Sequence, residues 1–197
     1  GRGGKGSKGS KTRSEDYLEH LFVGNNHNYL LFFTERGRCF WLRVFEIPEG
    51  SKTGTGRVIQ NVVNLPKDDK VKAYILIEDL NDQDFIMNNY IGFATKNGVI
   101  KKTLVEAYSR PRVNGINAIT IKDDDQLLEV KMTDGQKNIM LANKNGRAIR
   151  FDESKVRQMG RSAAGVRGMK IDLDSGDEII GMIIDDPNDQ DKTLLVI

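Results

Sequence analysis

The sequence predicts an all-β protein, a propeller-like array of four-stranded antiparallel blades of which the chain holds a part. Three observations carry that expectation. One strand-turn-strand pattern occurs three times, as YLLFFTERGRCFWL (29–42), YIGFATKNGVIKKT (90–103) and NIMLANKNGRAIRF (138–151), aligned on Gly37, Gly98 and Gly146. Charge alternates along the chain, +4 over residues 1–60, −3 over 61–95, +5 over 96–122, −3 over 123–143, +6 over 144–170 and −7 over 171–197, within a total of only +2. Helical patterning is weak throughout. A supersecondary unit of about fifty residues, repeated with one basic edge, produces such alternation; a uniformly solvated surface does not.

The elements follow in order. GRGGKGSKGSKTR (1–13) has no apolar side chain, so it has no reason to fold alone, and a polyanion is the partner that would order it. SEDYLEHLF (14–22) offers Ser14 as the N-cap of a helical turn, but EHLFV alternates as a strand does, and a strand is expected. Each hairpin is an apolar run, a polar turn ending in glycine, and a second run carrying cations. Asn97-Gly98 and Asn145-Gly146 predict two-residue turns, because Asn and Gly tolerate the positive φ such turns require.

A basic loop after each hairpin leads to a second element, TGTGRVIQNVV (53–63), RVNGINAITI (112–121) and SAAGVRGMKI (162–171). A short acidic turn then leads to a third, DDKVKAYILI (68–77), DDQLLEVKM (124–132) and GDEIIGMII (176–184). Four strands in about fifty residues fit a propeller blade better than a solenoid turn. Pro48, Pro66, Pro111 and Pro187 all fall between strand runs, where a missing N–H costs no ladder bond. NDQD at 81–84 recurs at 188–191, ahead of TLLVI (193–197), which reads as the opening strand of a further unit.

Composition narrows the function. With 197 residues and 38% hydrophobic content the chain can bury a core, and its single cysteine, Cys39, excludes an internal disulfide and favours a reducing compartment. No apolar run reaches the length of a membrane span and the N-terminus lacks a signal-peptide core, so a soluble cytoplasmic setting with no membrane partner is expected. Gly1 to Gly6 formally matches G-x-G-x-x-G, but no strand precedes it and no amphipathic helix follows; Ser10-Lys11-Thr12 lacks the glycine spacing of a P-loop. Two histidines and one cysteine argue against zinc. Asp123-Asp124-Asp125 and Asp185-Asp186 read as solvated turns on the edge away from the cations, and 185–191 lacks the glycine of an EF-hand loop. No triad or paired-carboxylate arrangement stands out, so neither a metal site nor a catalytic residue is expected. The tyrosines read as packing residues, and Trp41, between Phe40 and Leu42, as a blade-interface residue.

The cations recur at matched positions: Arg36, Arg38 and Arg43, then Lys96, Lys101 and Lys102, then Lys144, Arg147 and Arg150. Loop cations follow each set, namely Lys52 and Arg57, Arg110 and Arg112, and Arg157, Arg161 and Arg167. Charged edge strands also discourage aggregation, but recurrence apart from the acidic turns favours a ligand. Cations spread along an arc, unlike one compact patch, suit an extended polyanion held through phosphate contacts and counterion release. Few aromatics interleave the cations and nothing suggests base readout, so phosphates of a double helix are the expected partner. In the first segment Gly3, Gly4 and Gly6 let backbone N–H groups approach phosphate oxygens while Arg2, Lys5, Lys8 and Lys11 supply charge.

EDYLEHLFVGNNHNYLLFFTERGRCFWLRVFEIPEGSKTGTGR resembles the stretch after the basic box in the C-terminal domain of the DNA gyrase A subunit. Arg2-Gly3-Gly4-Lys5-Gly6 resembles the box itself, Gln-Arg-Arg-Gly-Gly-Lys-Gly in that family, with Gly1 in place of the first arginine. The resemblance covers essentially the whole chain. It implies a β-pinwheel, whose blades exchange a strand with their neighbours. The box would occupy 1–13, the end of a first blade 14–26, second, third and fourth blades 27–80, 81–135 and 136–186, and the start of the next 187–197. It also implies a non-catalytic module that wraps duplex DNA so that the holoenzyme introduces negative supercoils by ATP-dependent strand passage. Implied partners are DNA, the rest of the gyrase A subunit, which forms a homodimer, and the gyrase B subunit, in an A2B2 assembly in the bacterial cytoplasm, at the nucleoid. ATP and Mg2+ would act in other domains, with no cofactor in this chain. The equivalent domain of topoisomerase IV is the nearest alternative and has a degraded box or none. A protein-interaction propeller of the WD kind would show Trp-Asp strand endings, and an enzymatic one a cluster of acids or histidines in its channel.

Overall fold

A computed structural model describes residues 28–43 and 65–188. Along the chain its elements are β1 (Tyr29–Thr34), β2 (Arg38–Arg43), β3 (Val71–Ile77), α1 (Gln83–Asn88), β4 (Tyr90–Thr95), β5 (Val99–Leu104), β6 (Ile116–Asn117), β7 (Leu127–Thr133), β8 (Asn138–Asn143), β9 (Ala148–Asp152), β10 (Val166–Arg167) and β11 (Ile179–Asp185). They form three sheets with strand orders β3-β1-β2-β6, β10-β5-β4-β7 and β11-β8-β9, all antiparallel. The box (1–13), the segment 14–26, the element 53–63 and the strand at 193–197 lie outside the described residues, as do Lys52 and Arg57.

The second elements of the second and third repeats do not complete their own sheets. β6 pairs with β2 of the preceding hairpin, Cys39 opposite Ile116, and β10 pairs with β5, Ile100 opposite Val166. Each of the first two sheets is thus finished by the unit that follows, the strand exchange of a β-pinwheel, while the third sheet has three strands among the described residues. A return path makes this possible. After β5 a 3-10 turn, Val105–Tyr108, lays the chain across the preceding sheet, where the Trp41 Nε1–H donates to the Tyr108 carbonyl at 2.9 Å and the Tyr108 hydroxyl donates to the Ala118 carbonyl at 3.0 Å. Trp41 is a blade-interface residue, as its sequence neighbours suggested.

The sheets stack face to face, which explains why YLLFF shows no polar alternation: β1 is buried on both faces. Between the first two sheets lies one core, including Leu31, Phe33, Trp41, Ile75, Phe93, Tyr108 and Val130, with Phe33 edge-on to both Phe93 and Tyr108. Ile100, Ile139, Leu141, Met169 and Met182 join the second sheet to the third. β3, β7 and β11 meet in succession at one edge of the stack, so β6 and β10, at the other edge, are the outer strands.

Two expectations change. Asn97 and Asn145 keep negative φ, and only Gly37, Gly98 and Gly146 turn left-handed at these hairpins (φ +91°, +94° and +88°). The turn closes from Gly98 N–H to the Thr95 carbonyl, while the Thr95 hydroxyl accepts from Val99 N–H; Thr34 and Asn143 do the same in the other hairpins. A turn with one left-handed glycine at its end therefore replaces the two-residue turn. The second change is α1, capped by Asp82 accepting from Phe85 N–H, which arises within the first NDQD tetrapeptide. Its six residues are too few to imprint a helical period. Among the described residues no helix is long and apolar enough to cross a membrane.

Candidate nucleic-acid interface

The outer edge is built from the loops that deliver the exchanged strands. In the loop before β6, Gly115 N–H donates to the Arg112 carbonyl and the Arg38 guanidinium donates to the Asn114 carbonyl at 2.8 Å. Gly115 (φ +72°) packs so closely on Phe40 that a Cβ would fall 2.5 Å from its ring. Arg112 is exposed on this fixed turn. In the following unit Arg161 precedes β10, and its guanidinium donates to the Asn117 carbonyl of β6 at 3.3 Å. The Thr120 hydroxyl donates to the Ser162 carbonyl at 2.7 Å, and Thr120 N–H to the Ala163 carbonyl. Rim segments of successive units therefore touch, and Arg38, Arg112 and Arg161 lie along one continuous ridge. Arg157 and Arg167 are exposed on the same loop and strand.

Other predicted cations lie elsewhere. Lys101 and Lys102 are not rim residues, because β5 is covered on both faces. Lys101 is 0% exposed, donates to the carbonyls of Ala118 and Arg161 at 2.8 Å each, and stands 5.6 Å over the Phe93 ring. Burial, helped by the Arg161 charge, lowers its pKa to about 8. On the opposite face Lys102 donates to the Glu153 carbonyl at 3.1 Å and pairs with its carboxylate at 3.3 Å. Glu153, itself fully buried, also accepts from the Thr133 hydroxyl and from Lys137 N–H. Lys102 occupies the hairpin position that Trp41 holds in the first sheet, and each donates to a carbonyl of the next unit's 3-10 turn, Val105–Tyr108 for Trp41 and Glu153–Lys155 for Lys102.

The hairpin-turn cations share their end of the sheets with the acidic turns, contrary to the expected separation. Arg36 pairs with Asp68 at 2.7 Å, and Lys96 lines a cleft with Asp124, Asp177 and Glu178. The acids there are more than solvated turns. Asp69 accepts from Arg36 N–H, Asp125 from Asn97 N–H and Asp177 from Asn145 N–H, at 3.1, 3.0 and 3.2 Å, so one carboxylate of each unit holds its hairpin turn. Their recurrence just ahead of each third element was the available signal. Arg43 donates to the Tyr29 hydroxyl, Arg110 pairs with Glu106 and Arg150 with Asp185, while Lys144 and Arg147 are exposed on the third hairpin. Lys122, which no hairpin or loop pattern singles out, lines a cleft with Arg167 and Thr120 at the junction of two units; its place beside the acidic run conceals it in the sequence. No group of three His, Cys, Asp or Glu among the described residues could hold a metal.

The model of the DNA gyrase C-terminal domain, beta-propeller, family matches residues 1–25, 28–78, 89–134 and 137–184. The DNA gyrase A subunit of Haemophilus influenzae is 40% identical over 190 residues, 95% of this chain and 21% of the relative. The chain thus spans about a fifth of that protein's length. The crystal structure of the C-terminal domain of DNA topoisomerase IV superposes with a TM-score of 0.70 at 35% identity, over 81% of this chain and 48% of the other. A DNA gyrase A C-terminal domain structure superposes at 0.63 with 22% identity, over 81% and 48%, which supports the fold.

Proposed function

The chain belongs to the family of DNA gyrase C-terminal domains, and from that premise we propose that it binds duplex DNA along its outer edge, without base specificity, and wraps it. One observation carries the reading: the contact of residues 117–120 with 161–163, which makes the rim cations of two units a single track. Guanidinium groups carried on hydrogen-bonded backbone suit phosphates, and a track following an outer edge suits a curved double helix. In the longer protein, the wrapped segment would be passed to a cleavage core supplied by the rest of the gyrase A subunit, in a cytoplasmic A2B2 assembly whose gyrase B subunit hydrolyses ATP with Mg2+. This chain would contribute no catalytic group and no cofactor site.

Topoisomerase IV offers the second reading, favoured by the 35% identity of its domain structure; Arg2 to Gly6 favour gyrase. Ligation of nicked circles in the presence of the chain tests wrapping through the change in linking number. Replacing Arg2 and Lys5 by alanine should lower that change more than it lowers binding to short linear duplex. Equal losses would reduce the box to one more basic patch, and no change in linking number with the unaltered chain would remove the wrapping proposal.

A further inference from the structure

We infer that Lys101, though remote from solvent, is a positioning residue for the DNA track: it fixes how the rim segment of one unit meets that of the next. Its ammonium joins two carbonyls that belong to different sheets' outer segments. Ala118 follows β6, which closes the first sheet, and Arg161 precedes β10, which closes the second. Arg161 is consequently held at both ends, its carbonyl by Lys101 and its guanidinium by the Asn117 carbonyl. The Thr120–Ser162 and Thr120–Ala163 bonds lie beside this tie on the exposed side.

A packed apolar side chain could fill the volume, yet it would take the Lys101 donor from the half-buried Arg161 carbonyl and leave the Ala118 carbonyl with the Tyr108 hydroxyl alone. A buried cation is retained here at a desolvation cost that its lowered pKa records. What it secures is geometry. With the tie intact, the ridge bearing Arg112 and Arg161 has one spacing; without it, the two segments can shift and a bent duplex loses phosphate register across the junction.

The inference rests on the rim being the DNA track, so its test separates the two. Affinities of the full chain are measured for a duplex long enough to cross both units and for one confined to a single unit. They are measured in the unaltered chain, Lys101→Met, Arg161→Ala and the double variant. K101M is expected to weaken the long duplex about tenfold and to leave the short one within about twofold, the scale of coupling between contacting residues. On the R161A background its effect should shrink to about twofold, because Lys101 acts through Arg161. Additive losses, equal losses on both duplexes, or unaltered binding by a folded K101M overturn the inference. If R161A itself binds the long duplex like the unaltered chain, the track fails and Lys101's role with it. Should K101M not fold, Thr120→Val removes an exposed bond at the same junction; the same long-against-short split then carries the inference, and its absence sinks it.

Discussion

The rim can be told apart from the sheet ends by salt. Arg112, Arg157, Arg161 and Arg167 lie along the outer loops and strand, and none of the four is fully buried. If each neutralises one phosphate, replacing all four by alanine lowers the slope of log affinity against log salt by about 3.6, at about 0.9 per contact. Between 50 and 200 mM salt, the quadruple variant should then lose less affinity than the unaltered chain by a factor on the order of a hundred. The matched control is Arg36→Ala with Lys96→Ala, two cations set among Asp68, Asp124, Asp177 and Glu178, whose loss should move the slope by less than about 0.5. Fluorescence anisotropy on a labelled duplex at four or five salt concentrations gives both slopes, with thermal melts to verify folding. An unchanged slope in the quadruple variant, or an equal change in the control, would refute the assignment of the outer edge.

The remaining expectations concern how the track is held. Gly98→Ala sets a Cβ 2.2 Å from the Met169 carbonyl at φ +94°, whereas Gly146→Ala, at φ +88°, meets nothing within 4 Å. Chemical denaturation should cost the second about 1–2 kcal/mol of backbone strain and the first clearly more. Lys102→Met leaves the buried Glu153 carboxylate without its cation and should cost about 3–5 kcal/mol, with Glu153→Gln in the same chain recovering part of it; no recovery would mean the pair is not the cause. Asp125→Ala removes the acceptor for Asn97 and Gln126 N–H and should cost about 1–3 kcal/mol, read by the same denaturation. Lys101 has a folded pKa of about 8 against an ordinary 10.5, so the fold prefers the neutral amine. That preference penalises stability below pH 8 and is relieved as pH rises towards 10.5. Melting temperatures of the chain minus those of K101M should climb across that window, and a flat difference would contradict the shift.

The hairpins were legible in the sequence because each couples an apolar run to a left-handed glycine, a local pattern repeated at one spacing. Trp41 at a blade interface was legible too, since its neighbours are core residues. Lys101 and Lys102 were not. On a strand covered by sheets on both faces no polar alternation survives, so a cation beside a turn looks the same whether it faces solvent or a neighbouring unit's carbonyl. The pairing of β6 with β2 was equally hidden from local pattern: it joins residues nearly eighty positions apart, and only the family resemblance pointed to it. The acids misled for the opposite reason. Asp125 sits in a run of three, which suggests solvation, yet its carboxylate accepts from the turn above it.

Because a sheet here is closed by residues inherited from its successor, no single repeat is a separable brick. Excising one strips an edge from the sheet before it and strands the closing segment of the one after. Gain or loss of repeats over evolutionary time must therefore splice at equivalent points in the period, and a protease cut in 109–115 would injure two sheets with one break. The same indivisibility bears on whatever lies against the outer edge: its curvature is a property of the joints, set wherever one repeat hands a strand back to the last.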